Sequence, residues 1–72
     1  MKNLSILYVE DDPIVRENFT EILHHYFSTV YTAEDGEKAY RIYNEKNPDA
    51  VLLDISLPKM GGLDLAEKIR QN

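Results

Sequence analysis

Apolar and polar positions along the chain alternate between two periods. Ser5-Ile6-Leu7-Tyr8-Val9 is a short, nearly continuous apolar run, which predicts a strand buried on both faces. It stops at three acids, Glu10-Asp11-Asp12, followed by Pro13. Asp before Pro marks a helix N-cap with proline at the first helical position. The helix that follows carries Val15, Phe19, Ile22, Leu23 and Tyr26 on one face, with Arg16, Glu17, Glu21 and His24 away from it. Thr29-Val30-Tyr31-Thr32-Ala33 is rich in β-branched and aromatic residues and predicts a second strand. Glu34-Asp35-Gly36 punctuates the chain, and a second helix is expected from Glu37 to Glu45 with Ala39, Ile42 and Tyr43 inward. Asn47-Pro48 ends it, because the residue before a proline is pushed out of the α region. Ala50-Val51-Leu52-Leu53, the most hydrophobic segment, predicts a third strand that runs straight into Asp54. A loop from Ile55 to Gly62 leads to a third helix, Leu63 to Arg70, with Leu65, Ala66 and Ile69 inward.

The order is therefore β-α-β-α-β-α with short connections. Such alternation predicts an α/β fold: a parallel sheet with right-handed crossovers and helices on both faces. Seventy-two residues allow one small domain, and a chain of that size buries only about 60% of the surface its unfolded form exposes. No cysteine is present, which excludes a disulfide scaffold, a thiolate metal site and a cysteine nucleophile. No apolar run approaches the roughly 20 residues of a membrane-spanning helix. Residues 1–5 run directly into the first strand without a signal-peptide cleavage pattern, so the cytoplasm is the expected location. The net charge of −5, from 13 acidic and 8 scattered basic residues, argues against direct binding of nucleic acid, which needs a basic footprint.

Charge matters more locally. Ligands of parallel α/β sheets bind beyond the carboxyl ends of the strands, and acids stand at two of those ends. Glu10 and Asp11 follow the first strand; Asp54 closes the third. If the strands are neighbours, three carboxylates converge. Two unit charges about 4 Å apart repel by about 4 kcal/mol at an effective dielectric of about 20, so such a cluster calls for a proton or a cation. Mg²⁺ suits few carboxylates with room for water and phosphate. Glu10 and Asp11 alone are explained better by solvated loop residues, and Asp12 fully by capping. An aspartate ending the hydrophobic run Val51-Leu52-Leu53 is not, since Asp is disfavoured in strands.

These residues carry a resemblance. Ile6-Leu7-Tyr8-Val9-Glu10-Asp11-Asp12 resembles the first strand and acidic pair of response regulator receiver domains. The run from Asp54 to Gly62, with Leu57-Pro58-Lys59-Met60-Gly61-Gly62, resembles their acceptor loop, although many members carry Asp where Gly61 stands. Ala33-Glu34-Asp35-Gly36-Glu37-Lys38-Ala39 resembles the start of their second helix.

The resemblance implies a flavodoxin-like sheet of strand order 2-1-3. It also implies that Asp54 accepts a phosphoryl group from the phosphohistidine of a sensor histidine kinase. Asp11, Asp54 and the backbone carbonyl of Ser56 would hold Mg²⁺, with Glu10 acting through water. It implies a signalling module rather than an enzyme; an aspartyl-phosphate hydrolase is disfavoured because Asp54-Ile55-Ser56 lacks a second acid. Receiver domains run to about five strands and five helices, so residues 1–72 are expected to form one domain truncated after its third helix. The family's Ser/Thr after strand four and Lys after strand five have no counterpart in these residues, and Lys59 stands in the wrong loop to replace the latter. With nothing beyond it, the third strand becomes an uncharged edge. The alternative expectation is thus a phosphorylation-incompetent half-domain that self-associates, as a dimer, through that strand or the bare sheet face. His24 and His25 are adjacent on a helix, point apart and cannot share a metal.

Overall fold

The computed structural model describes residues 3–53 and residue 69. The predicted acceptor loop, including Asp54 and Ser56, lies outside the described residues, as do Leu65 and Ala66 of the predicted third helix.

Three strands and two helices alternate: β1 (Ser5–Val9), α1 (Pro13–Leu23), β2 (Thr29–Ala33), α2 (Gly36–Lys46) and β3 (Ala50–Leu53). The strands form one parallel sheet in the order β2-β1-β3. This is the expected α/β architecture and strand order. All three strands have the bounds read from their apolar runs, and α2 is one residue longer at each end.

β1 is central, and its alternation divides the core. Leu7 and Val9 are fully buried on the α2 face with Ala33 and Ala39, flanked by Tyr31, Tyr40, Ile42, Tyr43 and Ile69. Ile6 and Tyr8 lie on the α1 face with Leu23, flanked by Phe27, Val30 and Ala50. A fully buried Leu or Val side chain contributes about 1.5–3 kcal/mol, so β1 anchors both layers. Ile69 is helical and packs on the α2 face, as its position in the predicted third helix requires.

The α1 face departs from expectation. Of the five residues predicted to pack inward, only Leu23 is buried. Val15, Phe19, Ile22 and Tyr26 are 39%, 46%, 51% and 62% exposed. α1 is the only described helix on its face of a three-stranded sheet, so the flanks of its apolar stripe, which spans about 100°, have no neighbour to bury against. Tyr26 also lies beyond the helix. The chain tightens after Leu23, with the Tyr26 and Phe27 amides both donating to the Leu23 carbonyl, and turns directly into β2. The α2 terminus lies where Asn47-Pro48 predicts. Asn47 caps it in the left-handed region at φ 50° and ψ 60°, not the extended region that a following proline favours. Its amide donates to the Tyr43 carbonyl, and Asn tolerates this conformation better than most residues.

Candidate functional site

The parallel pairing of β1 with β3 places Val9 opposite Leu53, so both strands end at the same edge of the sheet. β2 ends there too, with Ala33 opposite Val9. The turn leaving β1 is tied down at once: the Glu10 amide donates to the Ala33 carbonyl at 3.0 Å, and the Arg16 guanidinium donates to the Glu10 carbonyl at 2.7 Å.

The three consecutive acids have three different environments. Glu10 is buried, with 8% exposure. Its Oε2 accepts the Asp12 amide at 3.2 Å, and its Oε1 accepts the Tyr8 hydroxyl at a long 3.5 Å. Tyr8 is itself held by the Phe19 ring, with centroids 5.7 Å apart and planes tilted by 60°. Asp12 is the N-cap of α1, its Oδ1 accepting the Ile14 and Val15 amides at 2.9 and 3.2 Å. The first amides of a helix have no partner within it. Here all are accounted for: Asp12 through Glu10, Pro13 by having no donor, Ile14 and Val15 through Asp12. Asp11, between them, is exposed. Among the described residues its carboxylate accepts no hydrogen bond.

Glu10 and Asp12 thus build the start of α1, and that frame presents Asp11 to solvent at the strand end. The predicted cap is present. Two contributors are not legible in the sequence: Arg16, which the apolar pattern only sets away from the packed face, and Tyr8, which it only sets in the buried strand. Nothing in a helical wheel reveals that Arg16 reaches back six residues to a carbonyl. Among the described residues no three acids or histidines gather as metal ligands. His24 and His25 are exposed near the end of α1, away from the acidic turn.

A family profile for the response regulator receiver domain matches residues 6–72. The chain belongs to the receiver-domain family. This receiver chain is 39% identical over 71 residues to a protein-glutamate methylesterase/protein-glutamine glutaminase of Bordetella pertussis, covering 96% of the chain and 20% of that protein. It is 36% identical over 67 residues to the probable transcriptional regulatory protein TcrX of Mycobacterium tuberculosis, covering 93% of the chain and 29% of that protein. Among solved structures, a LuxR-family two-component response regulator from Aurantimonas superposes with a TM-score of 0.88 at 38% identity, over 96% of this chain and 51% of that one. The receiver chain therefore spans about a fifth to a third of these curated relatives' length and about half of the solved chain. Those two relatives bear an enzyme's name and a transcriptional regulator's name, so the shared receiver portion does not by itself fix an output. Among the described residues no helix is long and apolar enough to cross a membrane.

Proposed function

We propose that residues 1–72 act as a receiver unit whose Asp54 takes a phosphoryl group from a phosphohistidine of a sensor histidine kinase in the cytoplasm. The observation that carries this reading is the parallel β1–β3 ladder. Leu53 sits opposite Val9, and Asp54 is the next residue in the chain, as Glu10 is on β1. The two acidic strand ends foreseen in the sequence therefore belong to neighbouring strands. In the transfer, an Asp54 carboxylate oxygen forms a bond to phosphorus, the phosphorus–nitrogen bond breaks, and the imidazole nitrogen takes up a proton. No further covalent catalyst is needed, because phosphoryl transfer depends mainly on positioning and charge neutralisation.

The residues fit Mg²⁺. Asp11 offers an exposed carboxylate with no competing hydrogen bond among the described residues. Glu10 has both oxygens engaged, which suits a role through water better than direct ligation. Asp11 and Asp54, with the Ser56 carbonyl, would hold the ion. Its positive charge, when bound, offsets the charge gathering on the phosphoryl oxygens. Asp12 takes no part beyond its cap. Because such an ion binds only the folded state, it raises the melting temperature by mass action. Following melting against Mg²⁺ in wild type and Asp54→Asn tests this: the wild-type response should be the larger, and an identical response in both removes Asp54 from the site.

A second reading rests on a separate observation. β3 is an edge of the described sheet, and Leu52 on it is 39% exposed. An uncharged apolar edge is a template for pairing, and in this reading two copies associate through β3. The measurement that bears on it is the oligomeric state in solution.

A further inference from the structure

At the end of the sheet opposite the acidic turn, Ser5 and Asp49 grip each other through four hydrogen bonds. The Ser5 amide and hydroxyl both donate to Asp49 Oδ2, at 2.8 and 3.2 Å. The Asp49 amide is shared between the Ser5 hydroxyl at 3.1 Å and the Ser5 carbonyl at 3.0 Å. The hydroxyl thus donates to the carboxylate and accepts from the same residue's amide. This pair continues the β1–β3 register by one step, since Ile6 lies opposite Ala50.

Among the described residues, β3 has little else to fix that register. A strand's register is strongly specified when one face is apolar and the other polar, because a one-residue slip exchanges them. Ala50-Val51-Leu52-Leu53 is apolar at every position, and both of its faces meet core: Val51 and Leu53 pack on the α2 side, Ala50 on the α1 side. A slip would exchange apolar for apolar. The Ser5–Asp49 pair does discriminate, because the residues flanking Ser5 are Leu4 and Ile6, and neither carries a hydroxyl.

We infer that Asp49, gripped by Ser5, is a positioning residue for phosphoryl transfer: it sets the register of β3 on β1 and thereby the place of Leu53, from which the chain passes to Asp54. The inference rests on Asp54 as the acceptor. A slip of one residue moves the strand by about 3.3 Å and turns each side chain to the other face. Misplacement of a reacting group by about 1 Å can lower a rate by about 100-fold. A register set five residues upstream is therefore a rate-determining feature of the site, though neither Ser5 nor Asp49 touches the phosphoryl group.

The test measures the labelling rate of the full-length protein with acetyl phosphate and Mg²⁺ in wild type, Asp49→Ala, Asp49→Asn and Ser5→Ala. Leu23→Ala serves as a destabilised control whose side chain packs on the α1 face, away from the grip. Asp49→Ala should label at least about tenfold more slowly, within the range that misplacement produces. Asp49→Asn keeps an acceptor oxygen for Ser5 and should restore the rate. Ser5→Ala, like Asp49→Ala, loses two of the four bonds, but it keeps the Ser5 amide bonded to the Asp49 carboxylate and should fall between. Leu23→Ala, measured well below its melting temperature, should retain the wild-type rate. Cross-strand nuclear Overhauser contacts between Val9 and Leu53 should weaken in Asp49→Ala and survive in Leu23→Ala. Equal labelling of wild type and Asp49→Ala, or equal slowing in Asp49→Ala and Leu23→Ala, overturns the inference. If Asp49→Ala does not fold, failure of Ser5→Ala to slow labelling overturns it. A wild type that is never labelled overturns the acceptor assignment itself.

Discussion

Replacing Asp12 by alanine should destabilise the fold without affecting phosphoryl chemistry. The Asp12 Oδ1 satisfies the Ile14 and Val15 amides, the two first-turn donors that no other group reaches among the described residues; Pro13 has no amide proton. Alanine leaves both to water. Because these bonds are at the surface, water replaces part of what is lost, and the expected cost is about 1 kcal/mol, mid-range for an aspartate cap. In a domain of this size that lowers the melting temperature by about 4–8 °C. Asp12→Asn keeps an acceptor oxygen and should lose far less, since Asn and Asp cap about equally well. Thermal unfolding followed by circular dichroism gives the stability, and intact-mass analysis after acetyl phosphate treatment gives the chemistry, both on the full-length protein. The reasoning fails if Asp12→Ala melts like wild type. It fails equally if Asp12→Asn is stable but cannot be phosphorylated, because Asp12 would then belong to the reacting site.

Two further outcomes follow from the same geometry. Asn47→Ala places a β-carbon residue with no local acceptor in the left-handed region, which costs about 1–2 kcal/mol, whereas Asn47→Gly should leave stability unchanged or raise it; urea unfolding midpoints compare them. For the self-association reading, sedimentation equilibrium of the 72-residue chain at micromolar concentration should show a dimer, and a monodisperse monomer with a cooperative melt contradicts it.

The strands were legible because each is a compact apolar run bounded by turn residues, and their bounds coincide with the sheet. The order β2-β1-β3 followed from alternation joined to the family resemblance. The cap at Asp12 was legible because Asp-Pro has one dominant meaning at a helix start. The exposure of Val15, Phe19 and Ile22 was not. Periodicity reports which side of a helix is apolar, and burial also requires a neighbour on that side. The end of α2 at Asn47-Pro48 was legible from the proline, whereas the left-handed form of its cap came only from the folded helix end. Arg16 reaches Glu10 across six residues of chain, through a bend whose shape no local pattern encodes. Within the site, Glu10 and Asp11 were placed at the right strand end, but their division of labour, one buried and engaged and the other exposed, came only from the folded turn.

The central claim is that Asp54 is the phosphoryl acceptor, and one measurement addresses it most directly. The full-length protein is incubated with acetyl phosphate and Mg²⁺, and the bound phosphoryl group is located by intact mass and peptide mapping. Acetate leaves as its bond to phosphorus breaks and an aspartyl oxygen takes its place. A single phosphoryl group is expected on the peptide containing Asp54. It should be absent in Asp54→Asn, retained in Asp12→Asn, and lost from wild type when Mg²⁺ is chelated. Labelling that persists in Asp54→Asn, or that maps to another residue in wild type, contradicts the account.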